Sequence, residues 1–94
     1  MSDLLAQEEL AVALKKCPEW EQEKKYITRS IEFEEFMEGI DFVAVVGEIA
    51  EEAQHHPDIS VKYTKVTLKL TTHDVGGVTD LDIQLAQRID NVLD

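Results

Sequence analysis

The sequence predicts an α+β fold of the order α-β-β-α-β-β-α, with a four-stranded antiparallel sheet covered by helices on one face. Three observations carry the prediction. Apolar residues recur at helical spacing in three separate segments, paired period-two runs fill the gaps between them, and proline or glycine punctuates several borders. With 94 residues the chain has room for one core, so a single domain over residues 1–94 is expected.

Residues 4–16 set Leu10, Ala13 and Leu14 on one side and Leu5, Glu9, Val12 and Lys16 on another. That is a short amphipathic helix, and it ends before Pro18, whose ring disfavours helical backbone at Cys17. From Trp20 the chain reads as extended until Lys24-Lys25 interrupts it. Beyond Tyr26, Ile27, Ile31 and Phe33 alternate with Thr28, Ser30 and Glu32, so residues 20–24 and 26–33 are expected to pair as a hairpin. Residues 35–54 form the clearest helix. Phe36, Ile40, Val43, Gly47 and Ala50 step by three or four, while Glu38, Asp41, Glu48 and Glu52 take the wet side. His55-His56-Pro57 should stop it, because proline penalises helical geometry in the residue before it.

A second hairpin follows. Ile59, Val61 and Tyr63 alternate first; Val66, Leu68 and Leu70 then alternate against Thr67, Lys69 and Thr71, with Thr64-Lys65 as the expected turn. Residues 74–78 read as a loop. Thr79 opens the last helix with Asp82 three residues on, a capping-box arrangement, and Leu81, Leu85, Ile89 and Val92 line one side of it. Neither hairpin can bury a face alone, so both are expected to join one sheet beneath the helices, leaving Thr67, Lys69 and Thr71 on its bare side.

Composition narrows the function classes. An apolar content of 44% is too high for a disordered acidic tail. Twenty acids against nine bases, a net charge of −11, argue against nucleic-acid binding, because most of the surface would repel phosphate. Residues 1–56 hold 14 of the acids and five of the bases, so the acidity is mostly the solvated side of the first helices. Cys17 is the single cysteine; no internal disulfide can form, and an inert thiol in a reducing compartment is expected. The N-terminus lacks the basic and long apolar regions of a signal peptide, and the apolar run 40–46 is too short for a membrane span, so a cytoplasmic protein without membrane contact is expected.

No glycine-rich phosphate loop or nucleophile elbow is present, and the histidines are what remains for chemistry. His55 follows Glu51 by four residues, one helical turn, where a carboxylate can orient the imidazole and favour its protonation. Alternation places His73 with Thr67, Lys69 and Thr71, on the open sheet face or its rim. His55 and Asp82 each have a plain structural reading: His55 as a helix C-terminal residue, Asp82 as part of the Thr79 capping box. Three histidines and Glu51 also suggest a metal site, but adjacent His55 and His56 point roughly 100° apart on a helix, so no metal is expected.

The run Glu51-x-x-x-His55-His56-Pro57, followed by Tyr63 after five residues, His73 after nine more and Asp82 after eight, resembles the signature of the pterin-4a-carbinolamine dehydratases. Phe33-x-x-Phe36, Thr72-His73 before Gly76-Gly77, and Leu85-Ala86 with Ile89-Asp90 extend the likeness, which is strong from Ile31 onward and loose before Trp20. The resemblance implies the fold order above, assembly as a homodimer or homotetramer through sheet edges and helices, and dehydration of 4a-hydroxytetrahydropterin without metal or cofactor. It implies His55 and His73 as the acid–base pair with neither role assigned, His56 as a binding or assisting group, Glu51 as the group orienting His55, and Asp82 as completing the site. Three positions depart from the pattern: Ile59 where an aromatic is frequent, Thr64 in place of asparagine, and Asp74 where glutamate also occurs. They bear on affinity for the pterin more than on reaction type.

Some members of that family double as a dimerisation cofactor of a homeodomain transcription factor, so the resemblance also admits a non-catalytic oligomeric partner of another protein. A pterin-binding accessory factor acting on a related compound is a third reading of the same pocket.

Overall fold

A computed structural model describes residues 3–93; Met1, Ser2 and Asp94, at the ends of the expected 1–94 domain, lie outside the described residues. The order is α1 (Gln7–Leu14), β1 (Glu21–Glu23), β2 (Tyr26–Glu32), α2 (Phe36–Ala53), β3 (Asp58–Lys62), β4 (Lys65–Leu70) and α3 (Asp80–Leu93), with a 3₁₀ turn at His73–Val75. All pairings are antiparallel and the strand order is β1-β2-β4-β3, so β1 and β3 are the free edges.

Local chemistry explains the helix borders. At α1 the Ala6 N–H donates to Glu9 Oε1 at 2.8 Å, and at α2 the Glu35 N–H donates to Glu38 Oε1 at 2.9 Å; each reaching-back carboxylate satisfies a donor the helix leaves unpaired. The Thr79 cap opens α3 as expected: the Thr79 N–H donates to Asp82 Oδ2 at 2.9 Å and the Leu81 N–H to Thr79 Oγ1 at 3.2 Å.

Register sorts the sheet into two faces. Ile27, Val66, Leu68 and Leu70 are fully buried beneath Phe42, Val46 and Ala50 of α2 and Leu85, Ala86 and Ile89 of α3. Gly39 lets α2 approach β4 closely, since a Cβ there would sit 3.3 Å from Val66 Cγ2. Arg29, also on the helix side, is neutralised by Asp90 of α3 at 2.5 Å, and the same carboxylate oxygen accepts from Trp20 Nε1 at 2.8 Å. The opposite face carries Thr28, Ser30, Glu32, Asp58, Ser60, Lys62, Lys65, Thr67 and Lys69.

One border differs from expectation. Lys62 pairs with Lys65, so the second turn is Tyr63-Thr64 rather than Thr64-Lys65, and Tyr63 takes a left-handed φ of 52°. Long-range contacts hold it there: the Phe33 N–H donates to the Thr64 carbonyl at 2.9 Å, and Tyr63 stacks on Phe36 with centroids 6.4 Å apart.

Candidate active site

The His-His-Pro segment departs from the helix earlier than the sequence spacing implies. Gln54 adopts a left-handed φ of 54° and closes α2, and the His55 N–H caps it by donating to the Ala50 carbonyl at 3.1 Å. His55 therefore leaves the helical face that Glu51 occupies. The carboxylate instead meets the next ring: Glu51 Oε2 lies 2.5 Å from His56 Nε2, with both side chains largely exposed. The expected Glu51–His55 contact is thus a Glu51–His56 contact, because the one-turn rule holds only while the helix continues.

His55 turns inward to Asp82. Its Nε2 lies 2.5 Å from Asp82 Oδ1, 27 residues along the chain, and the carboxylate is completely buried. Asp82 Oδ2 accepts from Thr72 Oγ1 at 2.9 Å and from the Thr79 N–H at 2.9 Å, while Thr72 and Thr79 share a hydroxyl contact of 2.8 Å. Among the described residues no buried side-chain polar atom lacks a partner. A carboxylate only accepts, so a neutral His55 ring must donate through Nε2 and keep its lone pair on Nδ1. One buried group thereby holds two segments together: His55 precedes His56, and Thr72 precedes His73.

His73 begins the 3₁₀ turn that follows β4, and Gly76 closes that turn with a φ of 73° and an N–H donated to the Thr72 carbonyl at 3.0 Å. His56 and His73 line one cleft with Tyr26, Asp58, Lys69 and Thr71, at the rim of the open sheet face. Its enclosed volume is about 20 Å³, room for about one water, so a flat ring would have to lie across its mouth. Lys69 Nζ donates to the Tyr26 hydroxyl at 3.2 Å and sits 4.7 Å over the Tyr26 ring, and Tyr26 in turn donates to Glu23 Oε1 at 2.6 Å. That hydrogen bond to Tyr26 leads the causes that raise the Lys69 pKa above the ordinary lysine value, keeping the head group cationic.

All five residues singled out from the sequence are thus linked through contacts or chain neighbours, while Tyr63, part of the same signature, is three-quarters exposed and stacked on Phe36. Among the described residues no group of three or more His, Cys, Asp or Glu side chains could hold a metal; His55 and His56 turn to different carboxylates. Sequence reasoning missed Tyr26, Asp58 and Thr72. Tyr26 shares strand parity with Thr28 and Ser30, a signal that was available; the role of Thr72 has no local signal.

Residues 3–92 match the sequence profile of a family described as Pterin 4 alpha carbinolamine dehydratase. Provisionally named pterin-4-alpha-carbinolamine dehydratases are similar throughout: one from Natronomonas pharaonis is 41% identical over 98% of each chain, and one from Picosynechococcus sp. is 45% identical over 98% of this chain and all of its own. A crystal structure from Brucella melitensis, described as a transcriptional coactivator/pterin dehydratase, superposes with a TM-score of 0.92 at 33% identity, over 96% of this chain and 98% of the other. A pterin dehydratase-like protein described as a RuBisCO assembly factor in the alpha-carboxysome, 19% identical with a TM-score of 0.63 over 78% of this chain and 84% of its own, shares the fold.

Proposed function

The chain belongs to the pterin 4 alpha carbinolamine dehydratase family, and from that membership we propose that it is a hydro-lyase converting 4a-hydroxytetrahydropterin to quinonoid dihydropterin in cytoplasmic pterin recycling, with residues 1–94 as one catalytic domain. The observation that carries the reading is the buried Asp82 carboxylate, which accepts from His55 and Thr72 together and so ties the His-His-Pro segment to the segment bearing His73.

The reaction asks for one proton in and one proton out. The 4a-hydroxyl leaves as water once protonated, taking the C–O electron pair, while the adjacent ring nitrogen gives up its proton and its N–H electrons form the new C=N bond. The counts close without a cofactor, and two imidazoles suffice near neutral pH. In this reading His55, through Nδ1, and His73 form the acid–base pair. His56, steadied by Glu51, binds the ring and assists.

Purified protein added to freshly generated 4a-hydroxypterin should accelerate loss of its ultraviolet signal. A folded sample that leaves the buffer rate unchanged overturns the proposal.

A second reading, a non-catalytic oligomeric partner of another protein, is favoured by apolar side chains left in solvent on α2: Phe36 is 44%, Met37 56% and Val45 38% exposed. Such exposure on one helix, beside two free sheet edges, suits association as a homodimer or homotetramer. Light scattering that finds a monomer at micromolar concentration refutes the oligomer, and a pull-down from the native extract with no stoichiometric partner refutes the partner role.

A further inference from the structure

Three of the chain's nine bases stand together on the open sheet face. Lys65 and Lys69 flank Thr67 on β4, and Lys62 lies directly opposite Lys65 on β3. Like charges placed directly opposite are destabilising. A lysine on the edge strand β3 discourages unwanted pairing, which accounts for Lys62. Lys65 and Lys69 lie on β4, an interior strand, where that explanation fails. Among the described residues none of the three makes an ion pair. The acids nearest them are Asp58, opposite Lys69, with Glu23 near its head group, and Glu32, which pairs in register with Lys65 but whose carboxylate accepts from Thr64.

This strip continues the histidine cleft. Asp58 and Lys69 line both that cleft and a shallow hollow of about 170 Å³ with Ile59, Ser60 and Thr67. Ser60, Thr67 and Lys69 in turn line a hollow of about 250 Å³ that reaches Lys62 and Lys65. The result is a track along β4, from the histidines past Lys69 to Lys65, with four residues or roughly 13 Å between the two lysine Cα atoms. Lys69 is fixed at the cleft end by the Tyr26 hydroxyl and ring rather than left to sweep through solvent.

We propose that the pterin taken by this site carries an anionic substituent, a phosphate or carboxylate, that runs from the histidine cleft onto the Lys69–Lys65–Lys62 strip. This rests on the dehydratase reading and names the class of its substrate. A short side chain ending in phosphate reaches Lys69; a longer one ending in carboxylates reaches Lys65 and Lys62.

The test is titration of the intact protein with three unreactive probes: neutral 7,8-dihydroneopterin, its 3′-phosphate, and dihydrofolate. At low salt at least one anionic probe should bind about tenfold tighter than the neutral one, the scale of a single charge-assisted contact at a partly exposed site. The advantage should shrink in 0.5 M salt. A phosphate-ended ligand predicts that Lys69→Gln removes the phosphate probe's advantage and Lys69→Arg keeps it. A carboxylate-ended ligand predicts that Lys65→Gln with Lys62→Gln removes the advantage of dihydrofolate. If the neutral probe binds as tightly as both anionic ones, the anionic tail is refuted and the dehydratase reading stands. If no probe binds to folded protein, the anionic tail is refuted, and the rate of 4a-hydroxypterin loss decides the dehydratase reading separately.

Discussion

Replacing Asp82 by asparagine separates what this buried carboxylate does for the fold from what it does for His55. Two donors, Thr72 Oγ1 and the Thr79 N–H, converge on Oδ2, while Oδ1 faces His55 Nε2 alone. An asparagine keeps the two donors by leaving its carbonyl oxygen at the Oδ2 position, which turns its NH₂ toward His55. Nε2 must then accept, and the ring proton moves to Nδ1. The helix cap survives and the charge is lost, so the stability cost should be about 1–2 kcal/mol. Asp82→Ala strips all three acceptor contacts and leaves buried donors unpaired, costing about 3–5 kcal/mol against a total of roughly 5–14 kcal/mol for a 94-residue chain. Urea unfolding measures both variants, and the initial rate of 4a-hydroxypterin loss per folded molecule measures catalysis. Asp82→Asn should lower kcat by about 10²–10⁴-fold through the wrong His55 tautomer, with a changed pH–rate profile. A fully folded Asp82→Asn protein with the wild-type kcat and pH profile refutes the positioning role, whatever its stability.

His73→Ala should reduce kcat roughly 10²-fold or more with little loss of stability, because the side chain is exposed at the cleft; an unchanged rate removes it from proton transfer. Glu51→Gln should raise KM a few-fold and leave kcat within about twofold, since its pairing with His56 is solvent-exposed; a large fall in kcat with unchanged KM contradicts a binding role for His56. Burial, helped by the Asp90 carboxylate, pushes the Cys17 thiol up to about 11. Iodoacetamide at pH 8 should therefore label native protein far more slowly than urea-unfolded protein. Because the unfolded thiol loses its proton first, stability should fall between pH 9 and 11 by roughly 1 kcal/mol per pH unit at most from this group. Equal labelling of native and unfolded protein refutes the burial. Asp90→Ala leaves Arg29 and Trp20 Nε1 without their shared acceptor and should cost about 2–3 kcal/mol in urea unfolding, while Asp90→Asn should lower the Cys17 pKa; a neutral Asp90→Ala contradicts the bridge.

Periodicity, with proline and glycine marking the borders, determined the element order, the two-faced sheet and the helices packed on one side, because burial of an amphipathic face is written residue by residue into the chain. The Thr79–Asp82 cap was legible for the same reason: a contact three residues long needs no knowledge of the rest of the fold. Spacing and strand parity pointed to Glu51, His55 and His73, and the resemblance to the family signature added His56 and Asp82. What it misjudged was the partners. The left-handed turn at Gln54 ends the helix one residue before His55, so Glu51 meets His56, while His55 finds Asp82, whose own cap also receives Thr72. The setting of Lys69 over Tyr26, 43 residues away, likewise depends on β2 lying beside β4. Such contacts follow from which segments the packed core brings side by side, and that arrangement exists only once the helices have closed over the sheet.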